Sequence, residues 1–320
     1  MATMKIAVPD LISNSYFPAV AAVELGYFAR YGVEASIELI FPVDRAYTAL
    51  HDRQVDFVAG SAHSALAAFP EWKGVKLLCA QAKGMYWFLV MRADLSPSRG
   101  DLSIVKGRRL GAAPWVELGL RALLTAGGID IERDEVAIAP VPGAIGTSVN
   151  FGLAAAKALE EGLIDGFWAN GMAAEVAIQR GVGAMVLDVR RGDGPQQGFD
   201  YTMASLATTD RLIRKQPDIA AAAVRAIVSA QAALKRNSQL ATEIGGRLFP
   251  EQEAALIATL IRRDAPFYDA AIRPESVEGM NAFCRVAGIL RGTPAYGDVV
   301  AQQFAPFWKE EYHHAGQQSS

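Results

Sequence analysis

The pattern that most restricts the fold is Ala49-Leu50-His51-Asp52-Arg53-Gln54-Val55-Asp56, because it returns 109 residues later as Ala158-Leu159-Glu160-Glu161-Gly162-Leu163-Ile164-Asp165. Both copies read Ala-Leu, four mixed residues, a β-branched apolar residue and Asp. Each follows a helical pattern and leads into a short apolar run, 57–60 or 166–169, that breaks into Ser61-Ala62-His63 or Asn170-Gly171-Met172. A helix feeding a buried strand that stops where another helix begins is one step of a parallel α/β sheet. Two such steps predict two similar lobes rather than one large sheet.

The flanking segments repeat in step. Met4-Lys5-Ile6-Ala7-Val8 opens the first lobe as Arg108-Arg109-Leu110-Gly111-Ala112 opens the second. Gly26 and Gly127-Gly128 stand where a helix should stop, just past the last apolar turn. Ser36–Ile40 and Glu135–Ala139 alternate as strands. The order β-α-β-α-β therefore occurs twice.

The run 87–91 reads as a strand, and the polar loop 92–98 after it as the first passage between lobes. A turn-rich segment, 190–198, precedes the return strand. The expected division is residues 1–92 with 200–320 in lobe 1, and 93–199 in lobe 2. Beyond Thr209 the pattern turns helical, with Asp210 as an expected cap and Pro217 at a helix start. These helices are expected to pad lobe 1. The expected ligand cleft lies between the carboxyl ends of the two sets of strands.

Charge and composition exclude several classes. A net charge of −3 with mixed signs gives no broad basic surface, so nucleic acid is not an expected partner. Cys79 and Cys284 read as small buried apolar residues rather than a disulfide. His51, His63, His313 and His314 are too dispersed for a metal site, and no zinc spacing occurs. No metal or cofactor is expected. No run reads as a membrane span, so direct membrane insertion is not expected. No secretory signal pattern precedes the first strand, so the location is read as periplasmic if a signal was removed and cytoplasmic otherwise.

Twelve residues at the expected cleft are candidate ligand contacts. Ser13, Asn14, Ser15 and Tyr16 sit in the first strand–helix loop, rich in short hydrogen-bonding side chains that can also cap a helix. Ser61 and His63 follow the duplicated strand of lobe 1. Trp87 lies near the crossing, Pro114 and Trp115 begin the first helical region of lobe 2, and Trp168 and Asn170 end its duplicated strand. Tryptophans at strand ends suggest an aromatic wall. Gly146, in the loop 143–148, offers a backbone amide. No arginine occurs in these loops, so an anionic ligand would depend on backbone N–H groups. No nucleophile–base pair is evident, and no catalytic residue is assigned.

Gly26-Tyr27-Phe28 followed by Tyr31-Gly32-Val33-Glu34 resembles the opening of substrate-binding proteins of nitrate, sulfonate and taurine ABC importers. The Ala49-Leu50…Val55-Asp56-Phe57 unit, Gly74-Val75-Lys76, Lys106-Gly107-Arg108-Arg109-Leu110-Gly111 and Gly162-Leu163-Ile164-Asp165 match later landmarks in order, over residues 5 to about 235. The resemblance implies a two-lobed α/β fold of the periplasmic-binding-protein type 2, with two crossovers and a central cleft. It implies a receptor for a small molecule, which the cleft residues above make aromatic or anionic, and an ABC permease as partner if the protein is exported. The same superfamily includes enzymes, a thiamine pyrimidine-precursor synthase and an aryl sulfinate desulfinase, so the alternative is a cytoplasmic enzyme with His63 as acid–base. Against the synthase, the loop Gly60-Ser61-Ala62-His63 lacks the family's lysine and no cysteine-rich motif follows. Against the desulfinase, Ser13 stands where its cysteine nucleophile aligns.

Overall fold

The computed structural model describes residues 3–144 and 151–309. Ten strands form two five-stranded sheets. They are β1 (Met4–Val8), β2 (Ala35–Leu39), β3 (Phe57–Ser61), β4 (Val75–Ala82), β5 (Phe88–Arg92), β6 (Arg109–Ala112), β7 (Ala137–Ala139), β8 (Gly166–Ala169), β9 (Gly183–Asp188) and β10 (Ala204–Thr209). The orders β2-β1-β3-β10-β4 and β7-β6-β8-β5-β9 superimpose term by term. In each sheet three strands pair parallel, and one strand from across a crossover, β10 or β5, inserts antiparallel. The architecture is the two-lobed α/β arrangement expected.

The repeated Ala-Leu…Asp unit has one structural job in both lobes. The helices Val43–His51 and Phe151–Glu160 each end on a left-handed residue, Arg53 at φ 62° and Gly162 at φ 70°. Gln54 N–H and Leu163 N–H then donate back to the carbonyls of Ala49 and Ala158, at 2.8 and 2.9 Å. This is a helix C-terminus wound shut by an αL residue. The closing Asp pins the next strand to its neighbour. Asp56 carboxylate accepts from the Lys5 N–H and Asp165 carboxylate from the Arg109 N–H, both at 2.9 Å. The backbone N–H of each Asp donates to the carbonyl of the same residue, at 2.9 and 2.8 Å.

The core follows from the strand pattern. All five residues of β3 are buried, as are the four of β8, because helices cover both faces. Cys79 and Cys284 are free and buried, as expected. The helix Pro217–Arg236 is long and apolar enough to cross a membrane by composition, which the sequence reading missed, yet 67% of its most apolar 18-residue stretch is buried inside the protein. It packs on the helix Phe17–Glu24 and on β4 as a core helix of lobe 1. Its neighbour Asp210–Lys215 is capped by Thr209, whose Oγ1 accepts from Leu212 N–H at 3.2 Å, one residue before the cap expected.

The first crossing is displaced from its expected place. β5 belongs to the second sheet, so the chain passes between lobes in residues 83–87, not in the loop 92–98. The apolar run 87–91 was read as the end of lobe 1, but its pairing with β8 and β9 puts it in lobe 2. The two passages, 83–87 and 189–203, lie against each other. Met85 N–H donates to the Phe199 carbonyl at 2.9 Å. Gly84 has φ 73°, and a Cβ there would stand 2.5 Å from the Phe199 ring, so only glycine fits.

Candidate functional site

The loops that follow β1, β2, β6 and β8 meet between the two sheets and form a narrow cleft. A cavity of about 40 Å³ remains, room for no more than a few waters. From lobe 1 it is lined by Pro9 and Asp10 after β1, Tyr16, and Phe41 and Val43 after β2. From lobe 2 come Ala113, Pro114 and Val116 after β6, Phe151, and Trp168, Ala169 and Asn170 at the end of β8. Trp87 adds the wall on the first crossing.

Aromatic rings make most of that surface. Phe41 and Phe151 stack across the lobes with centroids 5.8 Å apart and planes 29° from parallel. Trp87 meets Trp168 edge-on at 6.4 Å and packs on Tyr86 at 4.6 Å. Tyr16 and Tyr86 share a hydroxyl–hydroxyl bond of 2.6 Å, and burial raises both phenols above their ordinary value. They stay neutral. Asp10 is the one charged residue lining the cavity among the described residues. Its Oδ1 accepts from the Ile12 N–H at 3.0 Å, and its Oδ2 accepts from Asn170 of the opposite lobe. Asn170 also caps the helix Gly171–Gln179, with Oδ1 accepting from Ala173 N–H at 3.0 Å.

Of the residues expected at the cleft, Tyr16, Trp87, Pro114, Trp168 and Asn170 line the cavity. Gly146 lies outside the described residues. The others stand one layer back. Asn14 donates to Asp264, its carbonyl accepts from Tyr268, and Ser15 Oγ lies 3.2 Å from Arg190, so the first loop is tied to the hinge and the C-terminal helices. Ser13 is buried with its hydroxyl unpartnered. Ser61 and Ser64 share a 2.6 Å bond. Trp115 does not line the cavity; it adopts φ 69° just ahead of the helix Glu117–Ala126, and its ring tilts over His63.

His63 is fully buried. Its Nε2–H donates to the Trp115 carbonyl at 3.1 Å, since a carbonyl can only accept. That leaves Nδ1 to accept from the Thr202 hydroxyl at 2.9 Å. Burial lowers its pKa from 6.5 to about 4, against the opposing pull of the Trp115 carbonyl. The ring is a neutral tie from lobe 1 to lobe 2, not a group facing the cavity.

Sequence reasoning missed Asp10, Phe41 and Phe151. Asp10 had a signal: it follows Pro9 directly at the end of the first strand, where an α/β sheet presents its ligand loops. It also missed the charge cluster at the hinge. Arg190 and Asp264 are both fully buried and pair at 3.4 Å, and Arg191 and Arg263 reach the same carboxylate at 3.1 and 3.5 Å. Arg191 is held by Asp188 at 2.8 Å and Arg263 by Glu175 at 3.4 Å. Three cations therefore meet three carboxylates, and none of these arginines lines the cavity.

No protein-family model matches the chain, and no curated protein matches it in sequence. Solved structures do. A protein of Bordetella bronchiseptica RB50 is 20% identical with TM-score 0.69, over 98% of this chain and 96% of that one. The alkanesulfonate-binding protein SsuA of Xanthomonas axonopodis pv. citri, bound to MOPS, is 13% identical with TM-score 0.68, over 96% and 98%. This is the fold of the ABC-import substrate-binding proteins. The desulfurization enzyme DszB shares it, at 14% identity and TM-score 0.65 over 95% and 98%. Those identities carry the likeness no further than the fold.

Proposed function

We propose that this protein is a solute-binding receptor whose lobes close on a small organic molecule with a flat or apolar body, for delivery to an ABC permease. The observation that carries the reading is the aromatic cavity built from both lobes at the carboxyl ends of their strands. Hinged closure supplies the signal a permease can read, since ligand that contacts both lobes favours the closed form. Such a role requires export, which places the working protein outside the cytoplasmic membrane.

The likeness to DszB raises an enzyme as the alternative. Two features weigh against it. Ser13 Oγ has no hydrogen-bond partner to act as base, and both nitrogens of His63 are occupied by structural bonds away from the cavity. The test is native mass spectrometry of the purified protein, with the released compound added back in stoichiometric titration under X-ray scattering. Unchanged compound and a smaller radius of gyration on binding are expected. Conversion of the compound to product, or binding without compaction, overturns the receptor reading.

A further inference from the structure

Resting on that reading, we infer that the cleft selects an organic cation, a protonated amine or quaternary ammonium, rather than the anions named for SsuA-type proteins. Asp10 is the one charged side chain on the cavity wall among the described residues, and it carries a negative sign. Around it stand the faces and edges of Phe41, Phe151, Trp87 and Trp168. A carboxylate beside aromatic faces is the surface that attracts an ammonium group through ion pairing and cation–π contact. For an anion the Asp10 carboxylate is repulsive, and the one unpartnered donor a described residue of the wall holds out is the Trp168 Nε1–H.

The rim adds a second, independent observation. Val43 and Val116 line the cavity from opposite lobes, and each is followed by an acid, Asp44 and Glu117. Asp44 Oδ1 and Glu117 Oε2 are buried and have no hydrogen-bond partner. Neither acid lines the cavity itself, but two carboxylate oxygens left unsatisfied next in sequence to its wall are acceptors without a donor, and such groups cost stability until something supplies one. Arg121, one turn along from Glu117, is the counter-charge that acts on it. The arginines of the hinge do not change the sign, because Arg190, Arg191 and Arg263 are matched by Asp264, Asp188 and Glu175. The space of about 40 Å³ is smaller than such a ligand, so the lobes close around a bound molecule less far than they do here.

The test compares probes of one shape and different charge: benzyltrimethylammonium, benzylamine, benzyl alcohol and benzenesulfonate, titrated calorimetrically into the full chain. The two cations are expected to bind at least about tenfold tighter than the alcohol and to weaken as salt is raised. Asp10→Asn should cost the cations on the order of ten- to a hundredfold in Kd and the alcohol at least about tenfold less than that. Should Asp10→Asn fail to fold, the rim pair Asp44→Asn with Glu117→Gln should cost the cations several-fold. Tighter binding of benzenesulfonate, indifference of the cations to both variants, or no binding of any probe by folded protein overturns the inference. Benzenesulfonate binding with compaction would sink the cation and leave the receptor. Cation binding without compaction, or with turnover, would do the reverse.

Discussion

His63 links lobe 1 to the Trp115 carbonyl of lobe 2 from a ring that burial holds neutral. Its native pKa of about 4 lies below the ordinary 6.5, so between those values the unfolded chain binds a proton that the native one does not. Stability therefore falls as pH drops from 6.5 towards 4 and stops falling on this account below 4, by about 3 kcal/mol in all. Urea midpoints measured across that window should show the slope in the wild type, and His63→Gln should flatten the difference between the two. A second residue-scale expectation concerns Arg53. It occupies the left-handed position that its counterpart Gly162 fills without strain. Arg53→Gly should raise the unfolding free energy by about 0.5–1 kcal/mol, the relief of αL strain less the added freedom of the unfolded glycine. An unchanged or lowered midpoint would show that the Arg53 side chain stabilises by more than its backbone costs.

The element that sets lobe separation is the helix Gly171–Gln179. Its first residue comes so close to lobe 1 that a Cβ at Gly171 would stand 2.7 Å from Asn14 Oδ1 and 2.8 Å from Arg263 Nη2. Asn14 is held by Asp264 and cannot retreat freely. Gly171→Ala should therefore bias the protein open, weakening ligand roughly tenfold by taxing closure about 1.4 kcal/mol, with a larger radius of gyration by X-ray scattering and a folded far-UV spectrum. At this scale much was legible in the sequence. The two Asp-terminated units announced β3 and β8, and glycine stops marked the helix ends. β5 was recognised as a strand but assigned to the wrong lobe. Its continuous apolar run marks burial on both faces, and burial carries no information about which sheet provides it. Tyr16, Trp87, Pro114, Trp168 and Asn170 were found because they adjoin strand ends. His63 and Trp115 adjoin them too, yet turn away, since side-chain direction in an irregular loop is decided by tertiary packing. The Arg190–Asp264 pair joins residues 74 apart in sequence, and no local pattern signals it.

In the whole molecule, each sheet is completed by a strand the chain delivers from beyond a crossover. β10 lies between β3 and β4, and β5 between β8 and β9. The passages that hinge the lobes are thus continuous with the centres of both sheets, so rigid lobes and a mobile joint are parts of one covalent path. A ligand held among the rings of the cleft as proposed would act on that joint directly.

The inserted β10 also governs the order in which the protein can be assembled. Among the described residues β4 pairs along its length with β10 alone, apart from a single bridge between Leu77 and Val300, and β10 begins at Ala204, far downstream of Ala82. A growing polypeptide consequently carries an incomplete first sheet until most of it has left the ribosome, with apolar strand edges open to a holding chaperone. Late closure of that kind keeps the chain extended and threadable until β10 has been made.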